Sequence, residues 1–297
     1  MNNTHQLQVN GASVSFTETG TGEPVVLLHS SASSGGQWRS LCDVLDKDFH
    51  VLAPDLYGYG KTGDWPGHGP LTLADEAAAV IALMSRCEEP VHLVGHSYGG
   101  AVALRVALET PDRVRSLTLI EPVAFYLLRG GEINGELFGQ VRAVADAVTE
   151  ALMCGDYWEG MARFVDYWNG DGTWAKMSEE KRSALATRTR KVALDFWSTT
   201  ADETPLAAYG RLDAPTLILC GEKTPAPTRR IAELLADTVP NTHYQTIPGA
   251  GHMSPLTHAD LVNAVISEHL ARNRDHGFSM PASRWQQQQE TAVQAAA

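Results

Sequence analysis

Basic residues are scarce in this chain. Its 23 lysines and arginines face 35 aspartates and glutamates, a formal net charge of −12 over 297 residues. A surface that acidic repels nucleic-acid phosphates and anionic lipid, so neither nucleic acid nor a membrane is an expected partner. Long apolar runs are missing as well: none approaches the ~18 residues of a membrane span. The opening MNNTHQLQVN lacks the basic-then-apolar pattern of a secretory leader. Cysteine is sparse. Cys42, Cys87, Cys154 and Cys220 lie far apart and form no C-x-x-C pair, which fits free, mostly buried thiols in a reducing cytoplasm. What the chain has is 43% apolar and 20% charged residues, the balance of a globular protein with a sizeable core.

The hydrophobic pattern has two regimes. Residues 6–10 and 13–19 alternate around Asn10-Gly11, a hairpin signal. Continuous apolar runs then recur at 24–29, 50–56, 91–94 and 116–120, with helical stretches at 37–45, 71–86 and Tyr98–Glu109 between or after them. Strands alternating with helices predict a mostly parallel α/β sheet covered on both faces. From 123 to 204 the pattern is helical only, with helices expected at 134–153, 157–167 and 179–197. Alternation resumes with a strand at 216–220, a helix at 228–236, a strand at 243–247 and a helix at 259–271. This predicts a core of residues 1–122 and 205–272, a helical insertion of 123–204, and a tail from 273 without core pattern.

The sharpest motif is Gly95-His96-Ser97-Tyr98-Gly99, between a strand and a helix. G-x-S-x-G alone is common by chance; a strand–turn–helix context makes it specific. So sharp a reversal places the serine in a strained conformation that lifts its hydroxyl above the sheet edge. The Tyr98 N–H, at the helix start, then faces a developing oxyanion. A serine needs a nearby base, and His252 in Gly249-Ala250-Gly251-His252, after the last strand, fits the Ser…acid…His order. His92 and His96 are four apart but on a strand and turn, so they do not converge as two helical ligands do. No metal is assigned, and no cofactor is expected.

These residues resemble the α/β-hydrolase superfamily over residues 14–271. Leu28-His29-Ser30-Ser31 stands where the family has its His-Gly oxyanion loop, and Asp55–Thr62 (DLYGYGKT) resembles its D-x-x-G-x-G-x-S/T turn. The resemblance implies an α/β-hydrolase fold, with the insertion as a cap. It implies a catalytic His252, with the N–H groups of Tyr98 and Ser31 as oxyanion donors. The sequence departs from the family at the acid. Thr224 falls where an aspartate usually follows the strand at 216–220, and an uncharged threonine is expected to contribute little. Glu121, directly after the strand at 116–120 and stiffened by Pro122, is the substitute, as in superfamily members similar to zearalenone lactonases. Glu222 is the alternative.

The insertion carries Trp158, Trp168, Trp174 and Trp197 with several further aromatics, most of them expected to pack its helices onto the sheet. His29, Ser30, Phe125 and Trp197 are candidates for lining a largely apolar pocket. The expectation is a cofactor-free hydrolase of ester or lactone bonds acting through Ser97, His252 and Glu121. Its partner would be a small-molecule substrate, and a homodimer is compatible with the sequence. C–C bond, amide or perhydrolysis chemistry on the same residues, or a ligand receptor retaining the fold, are the alternatives. Haloalkane dehalogenases and epoxide hydrolases are disfavoured because they use an aspartate nucleophile.

Overall fold

The structure is a computed structural model that describes residues 3–274. Most of the tail expected from residue 273 therefore lies outside the described residues. Among those described, eight strands form one sheet in the order β1-β2-β4-β3-β5-β6-β7-β8. β1 (Asn3–Val9) and β2 (Ala12–Thr19) form the expected hairpin. Asn10 at φ 50° and Gly11 at φ 86° make the turn, the left-handed geometry a two-residue hairpin needs. β2 pairs antiparallel with β4 (Phe49–Pro54). The remaining strands, β3 (Glu23–Leu28), β5 (Val91–His96), β6 (Val114–Ile120), β7 (Thr216–Gly221) and β8 (Thr242–Ile247), are parallel to their neighbours.

The central strands are continuous apolar runs because both faces are covered. Helices α1 (Arg39–Leu45) and α11 (Ala259–Arg272) pack one face through Leu41, Leu45, Val262 and Ile266. Helices α2 (Leu73–Met84), α3 (Tyr98–Glu109) and α9 (Ala226–Thr238) cover the other. Thr72 and Asp75 form a reciprocal capping box at the start of α2.

Between β6 and β7 the chain is helical: α4 (Glu132–Met153), α5 (Tyr157–Asn169), α6 (Thr173–Lys176), α7 (Glu179–Ala186) and α8 (Thr189–Ala201). The single helix expected at 179–197 is thus two. The Thr187 and Thr189 hydroxyls donate to the carbonyls of Ala184 and Ala186, and the Arg188 N–H turns back to Leu185. Side chains that compete for helix carbonyls in this way favour a break. After β8, the short α10 (Ser254–Thr257) leads into α11. No helix among the described residues is long and apolar enough to cross a membrane.

Candidate active site

Three loops at the carboxyl ends of β5, β6 and β8 meet at one point, the edge where α/β sheets gather ligands. Ser97 follows β5 with φ 56° and ψ −116°, a conformation that costs about 1–3 kcal/mol. The surroundings hold it there. Its N–H donates to the Ile120 carbonyl at 2.9 Å, and its own carbonyl accepts from Gly100, Ala101 and Val123. The flanking residues have no room for a side chain: a Cβ at Gly95 would strike the Gly99 carbonyl, and one at Gly99 the Leu28 carbonyl. As the first residue of α3, Tyr98 has an N–H with no acceptor inside its helix.

Glu121 follows β6, also left-handed at φ 47°. Its Oε1 accepts the Gly221 N–H at 2.6 Å, and its Oε2 accepts from His252 Nδ1 at 2.7 Å and from the Thr224 hydroxyl. Burial alone would raise its pKa. The His252 contact, the Thr224 hydroxyl and the Gly221 N–H outweigh that and hold it below the usual carboxylate value. An ionised carboxylate only accepts, so the proton of the imidazole sits on Nδ1. Nε2, 2.9 Å from Ser97 Oγ, is then left to accept the hydroxyl proton. The arrangement joins a hydroxyl, a base and an acid in one line, buried to 4%, 2% and 0% exposure respectively.

A model of the alpha/beta hydrolase fold family matches residues 23–259. The chain belongs to this hydrolase family. It is 27% identical, over 88% of its own length and 67% of the relative's, to the dihydrolipoyllysine-residue acetyltransferase component of the acetoin cleaving system of Cupriavidus necator. To the 2-hydroxy-6-oxo-6-phenylhexa-2,4-dienoate hydrolase of Burkholderia cepacia it is 25% identical over 87% of this chain and 91% of that one. Among solved structures, a thermophilic esterase from Thermogutta terrifontis aligns with a TM-score of 0.70 at 24% identity, covering 93% of this chain and all of the other. At that identity the likeness speaks for the alpha/beta hydrolase fold alone.

Two cavities open on Ser97. The outer one, about 310 Å³, is lined by Ser30, Ser31, His252 and apolar groups such as Phe164, Trp168, Met177 and Leu256. The inner one, about 10 Å³, lies against Ser31, Tyr98, Val123, Phe125, Val192, Asp195 and Phe196. Ser31, Ser97, Phe164 and Trp168 border both.

Of the pocket candidates, Ser30 lines the outer cavity and Phe125 the inner. Trp197 does neither: it is 50% exposed on α8, and the expectation is corrected. His29 is also corrected. It is fully buried behind the loop, where Nδ1–H donates to the Ser30 carbonyl and Nε2 accepts the Leu56 N–H. Burial lowers its pKa to about 4, so it stays a neutral brace. The left-handed position of this loop is Ala32, φ 55°, so Ser30 needs no glycine's freedom. Glu222 is turned to the Gly249 N–H at 2.7 Å rather than to the imidazole. Thr224 is no bystander, because its hydroxyl reaches the displaced acid.

Two further residues escaped the sequence reading. His96 accepts from the Gln37 amide at 3.1 Å and donates from Nε2 to the His252 carbonyl at 2.9 Å, pinning the loop that carries the base. Burial and the adjacent His252 lower its pKa to about 3, so it remains neutral. Trp168, on α5, stacks on the His252 ring with centroids 3.7 Å apart. Its electron-rich face favours the imidazole when that ring becomes cationic. The only advance signal for His96 was its place inside the motif; for Trp168 it was membership of an aromatic-rich insertion.

Proposed function

We propose that this protein is a serine hydrolase that cleaves carboxylic ester or lactone bonds of a small, largely apolar substrate through an acyl-enzyme. The observation that carries this reading is the position of His252, 2.9 Å from Ser97 and 2.7 Å from Glu121. Ser97 Oγ attacks the carbonyl carbon as His252 Nε2 takes its proton. The N–H groups of Tyr98 and Ser31, which line the inner cavity beside Ser97, are assigned to the oxyanion, and the stacked Trp168 and the Glu121 carboxylate favour the imidazolium. The carbon–oxygen bond to the alcohol then breaks, and His252 returns the proton to the departing oxygen. Water repeats the sequence on the acyl-enzyme: its proton passes to His252 and on to Ser97, and the acid is released.

C–C hydrolysis of a dienoic ketoacid is the rival reading, and a substrate carboxylate, such as that of the dienoate for which the B. cepacia relative is named, requires a cation to hold it. The residues lining the two cavities include no lysine or arginine, and the two cations behind them are already engaged: Arg188 donates to the Ala32 carbonyl, and Lys191 is paired with Asp195 and Glu76. That supports a neutral substrate.

The test is a fluorophosphonate probe with a panel of p-nitrophenyl esters, lactones and amides. Labelling at Ser97 is expected, together with a loss of about 10⁵–10⁶ in kcat on Ser97→Ala at an unchanged melting temperature. An unlabelled Ser97 would favour a receptor instead. Thr224→Ala is expected to lower kcat for the same esters by about 10- to 100-fold, since hydrogen bonds to charged groups are worth roughly 1.5–3 kcal/mol, while Thr224→Ser retains activity. Wild-type rates in the alanine variant would show the hydroxyl to be idle.

A further inference from the structure

The two cavities differ in one decisive residue. His252 borders the outer cavity and is absent from the lining of the inner. In the proposed reaction His252 protonates the departing oxygen, so the alcohol must lie on the side His252 borders. The acyl chain then extends the other way, past Tyr98 into the inner cavity. We infer that this site selects esters with the shortest acyl group, acetate above all, on a bulky apolar alcohol. The inference rests on the ester-hydrolase reading and narrows it.

The sizes support this division. A cavity needs roughly 10–15 Å³ of such space to hold one water, and the inner one offers about 10 Å³. A methyl group is of that order; a butyryl chain is not. Its walls do not yield readily. Phe125 stacks on Phe196, and Phe196 and Val192, four residues apart on one face of α8, are both buried. Beyond them Asp195 is tied to Lys191 and to the Tyr59 hydroxyl, so a longer chain would press a methylene against a held carboxylate. The outer cavity, about 310 Å³, is within the ordinary range for small-molecule sites and offers Met177, Leu185 and Leu256 to an apolar alcohol. Phe164 and Trp168, like Ser31 and Ser97, border both spaces. An open ester can place one arm in each space, whereas a small lactone, with its arms joined, is disfavoured.

The experiment measures kcat/KM on p-nitrophenyl acetate, propionate, butyrate and hexanoate, and on acetates of phenol, naphthol and larger aryl alcohols. One surplus methylene in an apolar pocket discriminates by about 10–200-fold, so butyrate is expected to fall at least about tenfold below acetate. The alcohol series is expected to be tolerated throughout. Phe196→Ala, and independently the milder Val192→Ala, should raise the butyrate-to-acetate ratio, each with a melting temperature recorded to certify folding. Hexanoate cleaved as fast as acetate, a size limit found in the alcohol series, or folded variants with an unchanged ratio would overturn the assignment alone. Failure of every ester would overturn the hydrolase reading and the assignment with it.

Discussion

Glu121→Gln is expected to lower kcat for ester hydrolysis by about 10³–10⁴ without unfolding the protein, the scale on which removing the charge of a triad acid acts. The three donors around the carboxylate set the effect. Oε2 receives the His252 Nδ1–H and the Thr224 hydroxyl, and Oε1 receives the Gly221 N–H. A glutamine must turn its NH₂ toward one side. Facing His252, it presents a donor to a donor, and the imidazole escapes by moving its proton to Nε2. That tautomer cannot accept from Ser97. Facing Gly221, the NH₂ meets a backbone N–H that cannot reverse, and a buried donor stays unsatisfied. In either pose the negative charge opposite a developing imidazolium is gone. Steady-state kinetics on p-nitrophenyl acetate provide the measurement, with Glu222→Gln expected near wild type because Glu222 meets only the Gly249 N–H at the surface. Activity within tenfold of wild type in the Glu121 variant would remove the carboxylate from the mechanism.

Glu121, the proposed acid, stood out in the sequence because two local facts agreed: a carboxylate directly after a strand, and a neutral residue at the usual place. The role of Thr224 did not, although it sits at that place. Its contact with Glu121 exists only because β6 and β7 are adjacent and parallel, with Ile120 beside Leu219, a pairing that spans a hundred residues of chain. The aromatics of the insertion show the same limit in another form. Phe196 and Trp197 are neighbours in sequence, yet helical rotation puts the first against Phe125 and leaves the second half exposed. Periodicity says that one face is buried; which ring meets the imidazole depends on how α5 lies over the sheet. The strand-and-helix order was legible almost throughout, because the central parallel strands, such as β3, β5 and β7, bury both faces and read as largely apolar runs.

Least visible of all was a charged cluster under the insertion, where the second large effect is expected. Glu76 lies in the Ala-rich α2 and is fully buried. Lys191 Nζ, from α8, reaches its Oε1 at 3.0 Å and also pairs with Asp195. The same ammonium lies 4.7 and 4.5 Å from the ring centres of Tyr59 and Tyr98. Burial would lower the pKa of the lysine, but Asp195 and Glu76 outweigh it and keep the pKa above the ordinary value, so the charge persists. Burial raises that of Glu76. One cation thus holds two buried carboxylates from two elements, α2 of the sheet layer and α8 of the insertion. Lys191→Met removes the cation while roughly preserving its volume, and is expected to cost about 3–5 kcal/mol, the scale for breaking a buried ion pair from one side. Denaturant unfolding measures it, provided one cooperative transition is seen. Adding Glu76→Gln and Asp195→Asn to Lys191→Met should recover part of the loss, because a neutral cluster no longer strands charge in a dry interior. A loss below about 1 kcal/mol in the single variant, or no recovery in the triple, would mean that water reaches these groups and that the cluster does not join the insertion to the sheet. The activity of the single variant reports separately. Tyr98 donates its hydroxyl to Glu76 at 3.3 Å, and its N–H is a proposed oxyanion donor. Losing the cation that holds this residue from the side should therefore lower kcat even where the protein remains folded.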